Sequence, residues 1–181
     1  MIVQPTSVMA KAVVAARNLI LSSTVFRERC KLDENCPHPA EHLFLYETRR
    51  RNENVAAQRP CCVIGLNDMD WSQILPGCAR VNLISDGAVI VILTDHARKR
   101  DFEESNPRFD AEDSYIDFLN FFGGVMDEMD GRLGDHAYDG NIGFQFSSIE
   151  LLDVPNRTPY KDRTGDDFWA GVAAFHWGRD E

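Results

Sequence analysis

No apolar run in this 181-residue chain approaches the roughly 20 residues that a helix needs to cross a bilayer, so no membrane role is expected. The phosphate-cradling loops GxxxxGK[ST] and GxGxxG are missing, and so are GxSxG and HExxH. The signatures of nucleotide binding, of serine hydrolysis and of zinc proteolysis are therefore lacking. Positive charge is scarce, with 19 Lys and Arg against 29 Asp and Glu, a net charge of −10. Binding nucleic acid through phosphates needs the opposite balance. Such a surface would let DNA slide past without sticking, although solubility alone is the more ordinary reason for it. Neither an internal repeat nor a low-complexity tract occurs. The first residues, MIVQPTSVMAKAVVAARNLIL, have no basic segment before their apolar part and carry Lys11 and Arg17 inside it. A secretory signal is not expected, and the protein is expected to be made and to work in a cytoplasm. Cysteines number five, Cys30, Cys36, Cys61, Cys62 and Cys78. That odd count without a signal implies reduced thiols.

What is present describes one α+β domain over 1–181, 44% hydrophobic and 27% charged. Its organising stretch is Ser114 to Gly134. There Tyr115, Phe118, Leu119, Phe122, Met126, Met129 and Leu133 recur at steps of three and four, predicting a long helix over about 114–133. Ser114 and Asp117 form a capping pair in this reading, and Gly134 stops the helix. Asp127, Glu128 and Asp130 fall off the stripe and read as a solvated face. Gly123-Gly124 lets another backbone approach or bends the helix.

In chain order, Thr6 or Ser7 caps a helix running to about Leu21, Ser22-Ser23-Thr24 interrupts it, and a further turn covers Val25 to Cys30. Strands are expected at His42–Thr48, Pro60–Leu66, Gly77–Ile84, Gly87–Thr94, Gly143–Leu152 and Phe168–Trp177. Polar loops occupy about 49–58, 95–113 and 153–166. Together these predict a mainly antiparallel sheet with the N-terminal and long helices packed on one face.

Chemistry has few candidates. Cys30, Cys36, His38, Glu41 and His42 lie close in sequence and could supply zinc ligands, and with them a zinc-dependent or thiol hydrolase. A matching second ligand pair is absent, so no metal, no cofactor and no enzyme activity are expected. Cys61-Cys62 sits in an apolar strand, where neighbours face opposite ways, and reads as two inert buried thiols. Arg49, Arg50 and Arg51 could grip a phosphate or an acidic partner, or form a solvated hairpin tip.

The order of elements resembles the tail terminator, or tail-completion, proteins of tailed bacteriophages and related minor tail and neck proteins. The stretches that carry the likeness are VMAKAVVAARNLIL, RPCCVIGL, GAVIVILTD, the long helix, IGFQFSSIELLDVPNRTP and DDFWAGVAAFHWG. The resemblance implies a non-enzymatic virion protein, present in host cytoplasm during assembly. It would form a ring, commonly a hexamer, on the end of the tail tube, with tube and neck or connector proteins as partners and DNA passing through. Ring contacts would then come from polar loops: Arg49, Arg50 and Arg51, pairing with an acidic patch of the next subunit; Arg98, Lys99 and Arg100; and Arg157, Tyr160, Lys161 and Arg163. A small acidic α+β module that binds a basic protein partner is the alternative.

Overall fold

The computed structural model describes residues 5–32, 42–45, 59–66, 87–97, 107–133, 144–153, 159–161 and 167–178; for 45 and 107–112 the description is of backbone only. Helix α1 (Val8–Ser22) begins at Ser7, whose hydroxyl accepts the Ala10 N–H at 3.1 Å. Such a cap typically stabilises a helix by about 1 kcal/mol. Ser23 closes α1 by donating its N–H to the Ile20 carbonyl, and its hydroxyl then accepts the Phe26 N–H to open α2 (Thr24–Arg29). One fully buried serine thus turns the chain from one helix into the next.

At the end of α2, Lys31 takes a left-handed conformation (φ 56°). The Lys31 N–H then reaches the Glu28 carbonyl and the Leu32 N–H reaches that of Arg27, the double bond of a Schellman ending. Leu32 is buried beside it. A lysine in this region costs more than the glycine usually found there.

The strands are β1 (Leu43–Leu45), β2 (Cys61–Leu66), β3 (Gly87–His96), β4 (Ser148–Asp153), β5 (Tyr160–Lys161) and β6 (Asp167–Trp177). They form one sheet in the order β1-β2-β3-β6-β4, with β5 on the same side of β6 as β4. Only β1 and β2 are parallel. This is the α+β architecture expected from the sequence. β3 and β6 pair from Gly87↔Trp177 to His96↔Phe168 and make the centre.

Alternation decides the two faces. Cys62, Ile64, Val89, Val91, Leu93, Trp169, Ala173 and Phe175 share one core with α1, α2 and the long helix α3 (Pro107–Asp130). Phe44, Cys61, Val63 and Ile92 cluster on the other face. All three described helices therefore lie on one face, as expected. Within the core, Phe26 stacks on Phe121, and Phe118 on Phe122. Two glycines are required by close approach. A Cβ on Gly171 would overlap the Phe122 ring, and one on Gly87 the Trp177 ring.

Several boundaries differ from expectation. α3 starts at Pro107, so the segment 95–113 is not one loop: Asp95 and His96 belong to β3, and 107–113 is helix. Proline suits the first turn of a helix because an N–H there has no partner to lose. Ser114 is not a cap; its hydroxyl accepts the indole N–H of Trp169 at 2.9 Å. The helix ends at Asp130, followed by a turn at 131–133. β4 begins only at Ser148, and Tyr160–Lys161 of the expected 153–166 loop pairs with β6. The expected strand at 77–84 and the loop 49–58 lie outside the described residues.

Candidate functional site

The strongest polar cluster sits where α2, β3 and α3 meet. Arg29 donates from Nε to Asp95 at 2.6 Å, and from Nη1 and Nη2 to the two Asp117 oxygens at 3.2 and 2.6 Å. Its guanidinium also lies 5.6 Å from the centre of the Phe121 ring. The second Asp95 oxygen accepts the His96 N–H at 2.7 Å. Hydrogen bonding to Asp117, opposed by burial and aided by the charge of Asp95, holds the guanidinium proton more firmly than usual. Both Asp95 oxygens are thus engaged, and the group serves to tie three elements together.

Two further bonds clamp the helix corner. The Ser23 hydroxyl donates to Glu128 at 2.5 Å, and Arg132 donates to the Ser22 carbonyl at 2.7 Å. Asp117 and Glu128 are therefore not part of a solvated outer face, although Asp127 and Asp130 are exposed. Sequence spacing could not reveal these partners, because Arg29 finds Asp95 and Asp117 at separations of 66 and 88 residues.

The thiols are less available than a cysteine nucleophile requires. Burial pushes the Cys30 thiol up from its ordinary 9.0 to about 12 and pushes Cys62 well up too. Cys61 and Cys62 are buried on opposite faces, as alternation demands, and the Cys61 sulfur lies 3.1 Å from the Thr94 hydroxyl. Of the zinc candidates, Cys30 and His42 do converge. Both donate to the Pro60 carbonyl, from Sγ at 3.4 Å and from Nδ1 at 2.8 Å. That common acceptor is a backbone oxygen, and the two do not form a thiol–imidazole pair through it. Cys36, His38 and Glu41 lie outside the described residues, among which no group of three or more His, Cys, Asp or Glu could hold a metal ion.

Comparison with protein-family models, with curated proteins and with solved structures returns no significant match. Among the described residues, no helix is long and apolar enough to cross a membrane.

Among the described residues, the edge of the sheet at β4 is uncovered. Leu151 is 51% and Leu152 48% exposed, and the register shifts between Leu151 and Asp153. The extra residue of such a bulge is left unpaired. Glu150 accepts from Nε2 of His176 on the neighbouring strand at 3.0 Å, and the Tyr160 hydroxyl donates to Asp153 at 3.1 Å. Of the loop residues expected at a subunit contact, Tyr160 and Lys161 are on β5 beside this edge and exposed. Arg49, Arg50, Arg51, Arg98, Lys99, Arg100, Arg157 and Arg163 lie outside the described residues. The leucines were legible in principle. Adjacent residues of a strand face opposite ways, so an ELLD strand shows one leucine to water unless both faces are covered.

The buried thiols give a direct test. Burial keeps Cys30 in the thiol form at pH 8. Iodoacetamide should leave Cys30, Cys61 and Cys62 unmodified in the native protein and label all three in urea, read by peptide mass spectrometry. The folded thiol ionises at higher pH than the unfolded one, so its stabilising effect is complete below about pH 9 and is lost toward 12. The urea midpoint should fall across that window. Native labelling of Cys30 at pH 8 would contradict both statements.

Proposed function

We propose that this chain is a structural subunit of a phage-type particle, resembling a tail terminator, that forms a ring on the end of a tail tube. The observation that carries the reading is the element order, an N-terminal helix pair, strands, one long helix and further strands, in a sheet with its helices on one face. Charge is compatible: a net −10 suits a ring through which DNA passes without binding. The polar cluster at Arg29 supports it in a negative sense, since its groups bind one another and serve stability.

Sedimentation and electron microscopy of the purified protein test the reading, together with its addition to a polymerising tail tube protein. A closed ring that stops tube growth is the expected result. A monomer that leaves tube length unchanged would favour the alternative, an acidic module for a basic protein partner.

A further inference from the structure

We propose that copies of this chain join head to tail through the sheet, β4 of one copy pairing with β1 of the next, with the outer flank of α3 lying toward the neighbour's α1. The inference rests on the ring reading and assigns the surface that closes it. Among the described residues, β1 and β4 are the two ends of the sheet, and their outer edges carry no ladder. An open edge presents unpaired N–H and C=O groups and is a template for another strand.

Strand direction selects the arrangement. β1 runs with β2, β3 reverses, β6 reverses again, and β4 reverses once more. β1 and β4 therefore point in opposite directions. Rotation about an axis parallel to the strands keeps those directions, so the new pair is antiparallel and the sheet continues from copy to copy. A two-fold dimer through β4, centred between Leu151 and Leu152, would instead set Glu150 of one copy opposite Asp153 of the other, and like charges across strands are unfavourable.

Side chains agree with this choice. On α3, helical spacing places Ile116, Leu119, Gly123, Asp127 and Asp130 along one flank, turned away from Asp117 and Glu128, which face α2. Ile116 is 53% exposed, and a Cβ built on Gly123 meets nothing within 4 Å. With Leu151 and Leu152 this gives the β4 side apolar surface without an internal partner. Among the described residues its charges are mostly acidic, with Asp127 and Asp130 on the helix and Glu150 and Asp153 on the strand against Lys161 of β5. At the opposite end, the charges that α1 contributes are basic. α1 packs on β2 and β3, and its charged residues are Lys11 and Arg17 alone. A second copy of this chain thus supplies a charge-complementary surface as well as an antiparallel strand.

The test uses the full chain in three variants, each first shown to melt as the wild type does. Gly123→Trp fills the open flank; Asp127→Lys with Asp130→Lys makes that flank basic; Lys11→Glu with Arg17→Glu makes α1 acidic. If Gly123→Trp melts early, Ile116→Arg at its exposed position replaces it. Each variant should raise the concentration for half-assembly by roughly tenfold or more in light scattering. Mixing the two charge-reversed proteins in equal amounts should restore assembly, with the copies alternating around an even-numbered ring.

Rings that persist in every variant overturn the proposed surface and leave the ring reading standing. Failure of the mixture to reassemble likewise overturns the proposed surface. A wild type that forms open filaments, dissolved by the same variants, supports the surface and overturns the ring. A wild type that stays monomeric at high concentration overturns the proposed surface, and one that also leaves tube length unchanged overturns the ring reading with it.

Discussion

Replacing Arg29 with Met should lower the free energy of unfolding by about 3 kcal/mol, the low end of the cost of stranding one member of a buried ion pair. Asp95 has a side chain only 8% exposed, and without Arg29 it keeps the His96 N–H as its described partner. The desolvation of that carboxylate is then uncompensated. Asp117 is 40% exposed, so Asp117→Asn should cost far less, about 1 kcal/mol, because water can replace the lost bonds. The two losses should be non-additive, since both remove partners from one guanidinium. Urea unfolding of the two single variants and the double variant gives these quantities. A loss below about 1 kcal/mol in Arg29→Met would mean that water already reaches Asp95, contrary to its burial.

Gly171→Ala should destabilise by roughly 2–3 kcal/mol, a large effect for one methyl group. Its Cβ would sit 2.6 Å from the Phe122 ring, closer than carbon atoms pack. The ring cannot easily retreat, because Phe122 is itself buried and stacked on Phe118. Adding Phe122→Leu should recover part of the loss, which separates steric overlap from any effect of glycine on the strand. Gly123→Ala provides the contrasting control. With open space around its Cβ and a helical backbone, it should stabilise by about 0.5–1 kcal/mol. Thermal melts of the three variants decide the matter, and a neutral Gly171→Ala would show that β6 and α3 can move apart.

The sheet and helices were largely legible because their signals are local. GAVIVILT reads as a central strand from its β-branched content, and the alternation of Trp169, Gly171, Ala173, Phe175 and Trp177 names the side that β6 buries. Ser7 acts as the cap its residue type suggests. What failed was the start of α3. Charged residues and Pro107 resemble a loop when the apolar stripe alone is followed, although proline is welcome at a first helical position. Ser114 looked like a cap because Asp117 stands three residues on, whereas the structure employs the serine for Trp169 and the aspartate for Arg29. Polar residues that answer to distant partners leave no periodic trace, and so the Arg29 cluster was invisible. For β4, alternation points to one outward leucine, but hydrophobicity alone does not reveal which strand ends a sheet, so the exposure of both leucines was not legible.

The position of β6 in the sheet has a consequence for synthesis on the ribosome. β6 joins β3 to both β4 and β5, yet it is the last of these strands to be translated. Until Trp177 has left the exit tunnel, β3, paired with β2 alone, presents the open edge of GAVIVILT to whatever it meets. The interval between translating His96 and Asp167 is therefore the period in which the growing chain is most in need of a chaperone.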